Sequence, residues 1–206
     1  MDHESIQPKK IDPASSSPRR RAALLWPGLA ALAVVTAAVV QLRRQGRSWW
    51  CACGRPDLWW GDTQSAHNSQ HLFDPYSLTH ILHGIAFCGA LAVVARRLSV
   101  AWRLCLAVSL AALWEVIENT DTVIERYRDV TSSFGYHGDT IANSLGDIFS
   151  AAVGFLLARR LGLWWSLVLS AAVEVVLLLW IRDSLLLNVV MLIHPIEAVK
   201  DWQMGG

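Results

Sequence analysis

Ionisable side chains lie at the ends of the apolar stretches in this chain. His80 and His83 are near the start of one stretch, Glu115 and Glu118 close the next, and Asp147 lies near the start of a third. A charged group at membrane depth costs several kcal/mol, so such residues usually face a bundle interior and mark a functional site. The pattern predicts a multi-pass membrane protein with a buried polar site.

Composition agrees with a membrane protein and excludes some functions. Only 17% of the residues are charged, compared with about 25% in typical soluble domains. A formal net charge of +1 gives no reason to expect a nucleic-acid partner. No zinc-finger spacing, phosphate-binding loop or dinucleotide-binding glycine motif appears.

Five apolar segments fall within the range of about 17–25 residues that transmembrane helices span. The fold class predicted is an all-α integral membrane bundle of about five transmembrane helices. The following apolar segment is too short to cross, which predicts an interfacial or re-entrant helix over residues 185–202. A polar connection is expected at 120–140, and a disordered cytoplasmic tail at 1–21 precedes a single membrane domain at 22–206. The predicted spans are residues 22–42, 78–95, 100–119, 141–158 and 164–181.

Arginine placement predicts the orientation. The two short loops between spans carry arginine and no acid, around residues 96–103 and 159–160. Positive charge favours the cytoplasmic side, so we expect a cytoplasmic N-terminus. The start of the second span, the end of the third and the start of the fourth then share the outer face.

Polar residues in these three places are spaced three or four apart, so each helix presents them on one face. Histidines and carboxylates on facing helices are ligand types for a divalent transition metal such as Zn, Mn or Fe. The expected metal ligands are His80 and His83. The expected catalytic carboxylates are Glu115, Glu118, Asp139 and Asp147.

The same residues admit a purely structural interpretation. Ion pairs with Arg126 and Arg128 would neutralise the carboxylates without a metal. Alternatively, the histidines would donate to Glu115 and Asp147, since buried polar groups must be paired. The sequence leaves these alternatives open.

A phosphate-binding group is the second candidate. The guanidinium forks of Arg126 and Arg128 suit phosphate oxygens, and Tyr127 adds a hydroxyl donor. Asn119 and Asn143 are further substrate-binding candidates. The alternative for the arginines is a solvated helix end beside lipid headgroups.

Glu174 and the small residues of the spans are the remaining positions for which the sequence predicts a role. Glu174, near the middle of the last span, is an intramembrane acid that is either functional or part of the polar network. Gly146 and Gly154, together with Ser144, suit close helix packing.

The loop after the first span holds two cysteines and two histidines. Cys51 and Cys53 are separated by one residue, which permits only a strained bridge or none. His67 and His71 are expected at the loop surface. Metal or redox use of the cysteines is a minor alternative.

Short motifs extend as a set from about Trp49 to Gln203. They are Phe73-Asp74-Pro75-Tyr76-Ser77, His80-Ile81-Leu82-His83-Gly84, Trp114-Glu115 with Glu118-Asn119, Ile124-Glu125-Arg126-Tyr127-Arg128, Gly138-Asp139 with Asn143-Ser144, and Ile181-Arg182-Asp183. Together they resemble an uncharacterised family of proteobacterial multi-pass inner-membrane proteins, domain of unknown function 2585. The resemblance implies the bacterial inner (cell) membrane and implies no reaction. Ser184 departs from the family pattern, which has asparagine there.

The leading functional hypothesis is a metal-dependent site at the outer membrane face, acting on a lipid-linked or envelope substrate. A metal would activate water, with a carboxylate such as Glu118 as base. One alternative is proton- or ion-coupled transport through Glu174, Asp147 and His83; another is a non-catalytic assembly or binding protein. A looser similarity, in the histidines and acids at span ends, is to VanZ-like membrane proteins. The expected partners are the lipid bilayer and a lipid-linked substrate.

Overall fold

The computed structural model describes residues 18–55, 57–131 and 135–205. Residues 1–17 of the predicted tail therefore lie outside the described residues. The regular structure of the described part is helical, with a single isolated bridge pair, Trp59 and Phe73. The helices are α1 (Pro18–Arg44), α2 (Ser77–Val94), α3 (Val100–Glu118), α4 (Asp121–Val130), α5 (Ile141–Ile181), α6 (Leu185–Ile193) and α7 (Glu197–Gln203).

Four of these helices, α1, α2, α3 and α5, are long and apolar enough to cross a membrane. The 41 residues of α5 are not one regular helix, because Gly162 has a non-helical backbone with φ 73° and ψ −179°. Glycine adopts positive φ without steric cost. The break falls between the predicted fourth and fifth spans. The predicted all-α membrane bundle is confirmed.

Glycines bring α2 and α5 into backbone contact. A Cβ on Gly84 would overlap the carbonyl oxygen of Ala151, and one on Gly154 would overlap that of Ile81. Small residues permit such close approach between membrane helices. The packing role expected of Gly154 is confirmed.

The polar connection predicted at residues 120–140 contains a short helix, α4. This helix buries Ile124, Tyr127 and Val130 on one side. Its sequence is polar on the other side, as expected of a surface helix. α4 therefore packs at the polar end of the bundle.

The segment 185–202, predicted as one interfacial or re-entrant helix, is divided into two shorter helices in the structure. His194 and Pro195 separate α6 from α7. Proline lacks an amide proton and disfavours a helical conformation in the residue before it. Leu186, Val190 and Ile193 give α6 an exposed apolar face.

The long loop between α1 and α2 folds over the start of α5. Two amides close the loop, with Trp60 donating to the Phe73 carbonyl at 2.9 Å and Phe73 to the Leu58 carbonyl at 3.1 Å. The Thr140 amide donates to the Ser69 carbonyl at 3.0 Å. These bonds hold the loop against the end of the bundle that carries the polar residues.

Candidate functional site

The three polar segments named by the sequence meet at one end of the bundle. His80 Nδ1 lies 3.4 Å from Glu115 Oε1, and His80 Nε2 lies 3.9 Å from Asp147 Oδ2. Ser77 Oγ donates to Asp147 Oδ1 at 2.7 Å. Residues from α2, α3 and α5 thus form one buried polar site.

Three side chains in this polar site, including that of Glu118, lie close enough together to hold a metal ion. One ligand atom from each of His80, Glu115 and Glu118 lies within 4.8 Å of the others. We call these three residues the helix cluster. In the described part of the chain, His80 Nδ1, both Glu115 oxygens and Glu118 Oε2 are buried and make no hydrogen bond of acceptable geometry. Unpaired buried polar atoms are costly and rare, and a cation is one way to pair them.

The two histidines expected as ligands have different surroundings. His83 is not part of the helix cluster; its ring stacks on Phe87 with centroids 6.0 Å apart and packs on Trp114 at 6.0 Å. His80 is buried and faces the carboxylates. Of the two histidines, His80 lies in the helix cluster, and His83 forms part of the cavity wall.

A cavity of about 150 Å³ adjoins the helix cluster. Polar groups of the bundle form one side, and α6 covers the other. The lining contains no lysine or arginine among the described residues. It consists of Asn68, Ser69, Tyr76, Thr79, His80, His83, Trp114, Glu118, Tyr127, Tyr136, Asp139, Asp147, Leu185, Asn188, Val189 and Leu192.

The arginines expected to neutralise the carboxylates or hold phosphate, Arg126 and Arg128, do not line the cavity. Arg126 donates through Nε and Nη2 to the Leu192 carbonyl, at 3.1 and 3.0 Å. Arg128 is half-buried and does not line the cavity. The structure thus separates these guanidinium groups from Tyr127, which does line it. Arg126 attaches α4 to the end of α6.

Tyr127 contacts the helix cluster directly. Its hydroxyl is hydrogen-bonded to Glu118. Burial raises the pKa of Tyr127 well above its usual value, and the negative charge of Glu118 adds to the effect. Tyr127 therefore stays protonated and donates to one Glu118 oxygen.

Asp139 and Asn119 form a reciprocal pair beside the cluster. Asn119 Nδ2 donates to Asp139 Oδ2 at 2.8 Å, and the Asp139 amide donates to Asn119 Oδ1 at 2.7 Å. The Tyr136 hydroxyl donates to Asp139 Oδ1 at 3.0 Å. Burial raises the pKa of Asp139 to about 6, although the bond from Asn119 favours the charged form. Burial also raises the pKa of Tyr136.

Asn143, like Asn119, donates a hydrogen bond to a buried carboxylate. Its Nδ2 donates to Asp74 Oδ2 at 3.4 Å, and Asp74 also accepts from the amides of Tyr76 at 2.8 Å and Ser69 at 3.1 Å. Burial raises the pKa of Asp74, and the backbone amides oppose that shift. Asn119 and Asn143 thus orient acids of the site.

The loop between α1 and α2 contains a second group of potential ligands. Cys51 Sγ lies 3.2 Å from His67 Nδ1, and Cys53 Sγ lies 3.9 Å from His71 Nε2. We call these four residues the loop cluster. The prediction that both histidines lie at the surface is wrong, because His71 is 1% exposed and His67 is half-buried.

Comparison with known families assigns this chain. The family model described as "Protein of unknown function (DUF2585)" matches residues 42–205, which include both clusters. The chain belongs to the DUF2585 family.

Curated relatives cover almost the whole chain. A "UPF0314 protein" from Paracoccus denitrificans is 45% identical over 184 residues, 89% of this chain and 94% of that protein. A second, from Novosphingobium aromaticivorans, is 46% identical over 183 residues, 86% and 92% of the two chains. "UPF0314 protein R03235" from Rhizobium meliloti is 42% identical over 195 residues, 95% and 98%. No solved structure matches.

Membership of the DUF2585 family confirms the resemblance found in the sequence. The family description names no reaction, so the roles of further residues are inferred from geometry.

Asp183 connects the cavity wall to α6, which covers the cavity. The Tyr76 hydroxyl donates to Asp183 Oδ2 at 3.3 Å, and Asn188 Nδ2 donates to the same oxygen at 3.4 Å. Sequence reasoning gave neither Asp183 nor Asn188 a role at the site. Asp183 was visible only as part of the Arg182-Asp183 motif.

Glu174 belongs to the cover as well. Its carboxylate accepts from the Leu186 amide at 3.3 and 3.4 Å, in the first turn of α6. Negative charge at a helix N-terminus is favourable. Glu174 does not line the cavity, so its evident role is to position α6.

Proposed function

We propose that this protein is a metal-dependent enzyme of the bacterial inner membrane. The helix cluster would hold a divalent transition metal at the outer face and act on a lipid-linked or envelope substrate. One observation carries the proposal: one ligand atom from each of His80, Glu115 and Glu118 lies within 4.8 Å of the other two, in a buried part of the bundle. A cation would both neutralise these carboxylates and pair these atoms.

The surroundings of each residue support a division of roles. Of the helix cluster, His80 and Glu115 would hold the metal, and Glu118 would lie beside it. Asp147 lies beside His80 Nε2, where a carboxylate orients a metal-bound imidazole. Glu118 would be the base, because it lines the cavity and its Oε2 has no hydrogen-bond partner in the described chain. A metal held there would supply a more acidic water, and Glu118 would accept its proton.

The cavity cover supports a lipid-linked substrate. Leu185, Val189 and Leu192 of α6 line the cavity, while Leu186 and Ile193 expose apolar surface on the other side of the helix. An acyl chain would pack against α6 with its polar group facing the carboxylates. This arrangement favours an enzyme over a transporter, because Glu174 lies away from the cavity lining.

Metal analysis tests the helix cluster. Protein purified without chelators should carry one more metal ion per chain than the His80→Ala variant. His83→Ala is the matched control, because His83 lies on the same helix face but outside the cluster; it should keep that ion. Equal metal content in all three proteins would refute the proposal.

Charge removal tests the role of Glu118. Glu118→Gln keeps the side-chain shape and most of its hydrogen-bonding capacity. The variant should accumulate in the membrane nearly as well as wild type, yet fail to complement the envelope sensitivity of a deletion strain. Loss of accumulation in step with loss of complementation would show that Glu118 is structural.

Thiol labelling tests the proposed orientation, with the N-terminus cytoplasmic and the site outside. Cys53 is exposed, so a variant retaining only this cysteine should react with an impermeant reagent added from the periplasmic side. An Arg97→Cys variant in a cysteine-free background should react only after the inner membrane is breached. The reverse pattern would invert the topology.

A further inference from the structure

The loop cluster is a second site, independent of the proposed enzyme activity. One ligand atom from each of Cys51, Cys53, His67 and His71 lies within 4.8 Å of the other three. In a tetrahedral zinc site, bonds of about 2.3 Å to sulfur and about 2.0 Å to nitrogen place neighbouring ligand atoms roughly 3.3–3.8 Å apart. The sulfur–nitrogen separations of 3.2 and 3.9 Å are close to that spacing.

The backbone brings the two sulfurs together. The Gly54 amide donates to the Cys51 carbonyl at 3.2 Å, which closes a tight turn around Cys53. Gly54 has φ +73° with open space beside it, a conformation that glycine adopts readily. The turn places both thiols next to the histidines.

Trp60 holds the two imidazoles. Its ring stacks on His71 with centroids 5.2 Å apart and packs on His67 at 4.6 Å. Its Nε1 donates to Ser65 Oγ at 2.7 Å, which fixes the indole. The histidine side chains are therefore ordered by contacts that leave nitrogens facing the sulfurs.

The loop cluster is accessible to solvent at Cys53. Cys51 and His71 are buried, His67 is half-buried and Cys53 is exposed. An ion can therefore enter beside Cys53. The four cysteines in the chain are free, and a bridge between residues so close in sequence would be strained.

We propose that Cys51, Cys53, His67 and His71 bind one Zn²⁺ in a structural site that holds this loop over the cavity. Two thiolates and two neutral imidazoles are a common zinc ligand set, and four protein ligands leave no position for a substrate. On binding, the two thiols release their protons to solvent, and the imidazoles bind through unprotonated nitrogens.

The position of the loop explains what the metal stabilises. Ser69 and Gln70 lie between the two histidine ligands. Ser69 lines the cavity and accepts from the Thr140 amide at 3.0 Å, and Gln70 Nε2 donates to the Gly138 carbonyl at 2.9 Å. Fixing His67 and His71 therefore fixes one wall of the candidate active site.

Cobalt substitution tests this site separately from the helix cluster. Co²⁺ bound to thiolate gives a charge-transfer band in the near ultraviolet, and tetrahedral Co²⁺ absorbs strongly in the visible. The helix cluster contains no sulfur and cannot give the thiolate band. Metal-free full-length protein in detergent should develop both features at one equivalent of Co²⁺, and Zn²⁺ should remove them.

Variants locate the signal. Cys51→Ser should abolish the thiolate band or weaken it severely, while Cys88→Ser, in α2, should keep it. His80→Ala should also keep it, which separates this proposal from the proposed enzyme. Absence of a thiolate band in the wild type, or its persistence when both Cys51 and Cys53 are serine, would overturn the zinc site.

Alkylation of the wild-type protein gives a test that depends on no variant. Zn²⁺ should protect Cys51 and Cys53 from iodoacetamide, and chelation should expose them, as read by peptide mass mapping. The reactivity of Cys88 should not change. Equal alkylation with and without zinc, or a Cys51–Cys53 disulfide in protein purified without reductant, would overturn the proposal.

Discussion

The two clusters of this protein differ in how they are held. The helix cluster takes one residue from α2 and two from the end of α3, next to backbone contacts that glycines make possible. The loop cluster takes all its residues from one connection. Because its residues lie on packed helices, we expect the helix cluster to keep its geometry without a metal. We infer that the loop relies on its metal for order, because it contributes few residues to the apolar core.

The two clusters also differ in the types of ligand atom that they offer. The helix cluster offers one imidazole and two carboxylates beside a cavity, as in sites that keep a coordination position open. The loop cluster offers two thiols and two imidazoles, a set that encloses zinc. The contrast supports the two proposals, catalysis at the helix cluster and a structural zinc ion in the loop cluster.

Metal removal should give the largest difference between the two regions. At zinc concentrations about 1,000-fold above Kd, binding stabilises the loop by about 4 kcal/mol, so chelation should speed local amide exchange roughly 1,000-fold. Amides of residues 49–72 should lose protection, while those of α2 around His80 should change little. Hydrogen-exchange mass spectrometry checks this. Equal loss in both regions would contradict the contrast.

Closing the gap between α2 and α5 should damage the helix cluster selectively. Gly84→Ala forces a Cβ against the backbone of Ala151, and overpacking of this kind costs about 1–3 kcal/mol. We expect a lower thermal unfolding midpoint and loss of the metal bound through His80, with the cobalt–thiolate band of the loop retained. Gly89→Ala, with open space on the same helix, is the matched control and should be nearly neutral.

The helix cluster could be predicted because its signal is local. Charged residues in apolar runs, spaced three or four apart, define both a buried site and a helix face. The sequence did not distinguish His80 from His83 as the ligand. That choice depends on the rotation of α2 about its axis, which the packing of Gly84 and Gly154 determines.

The loop cluster could not be assembled from sequence because no periodicity describes its fold. The cysteine pair and the two histidines were each visible in one connection. Their meeting depends on the Trp60–Phe73 bond and on Trp60 stacking against the imidazoles. α4 was missed for a related reason: a short, mostly polar helix resembles a connection until its buried side is known.

A substitution that strains the backbone of the cysteine turn should weaken metal binding at the loop cluster and leave the helix cluster unchanged. Gly54 has φ +73°, a conformation that costs an alanine about 1–2 kcal/mol. Gly54→Ala should therefore reduce cobalt affinity at the thiolate site by roughly 5- to 30-fold, since 1.4 kcal/mol is tenfold. Gly54→Asn is the control, because asparagine tolerates this conformation better. Equal weakening by both variants would mean that the side chain, not the backbone, matters.

The smallest predicted effect is on the pH dependence of the unfolding free energy, through Asp183 in the cavity cover. It should leave the loop cluster unchanged. Burial raises the pKa of Asp183 from 3.8 to about 6, and the nearby charge of Glu174 acts in the same direction. The folded state therefore holds this proton more tightly than the unfolded state. The resulting stabilisation is complete below about pH 4 and is lost as the pH rises through about 6.

Between pH 5 and 7 the loss attributable to Asp183 should be about 1 kcal/mol. Asp183→Asn, which cannot ionise, should show a flatter dependence of unfolding free energy on pH, measured by chemical unfolding in detergent. Asp201→Asn is the control, because this carboxylate is exposed and does not line the cavity; the slope of this variant should match wild type. The thiolate band should be unaffected in Asp183→Asn, because Asp183 contacts the cavity wall through Tyr76 and not the loop cluster. If both variants flatten the slope equally, the effect is one of net charge, and Asp183 has no special position in the cover.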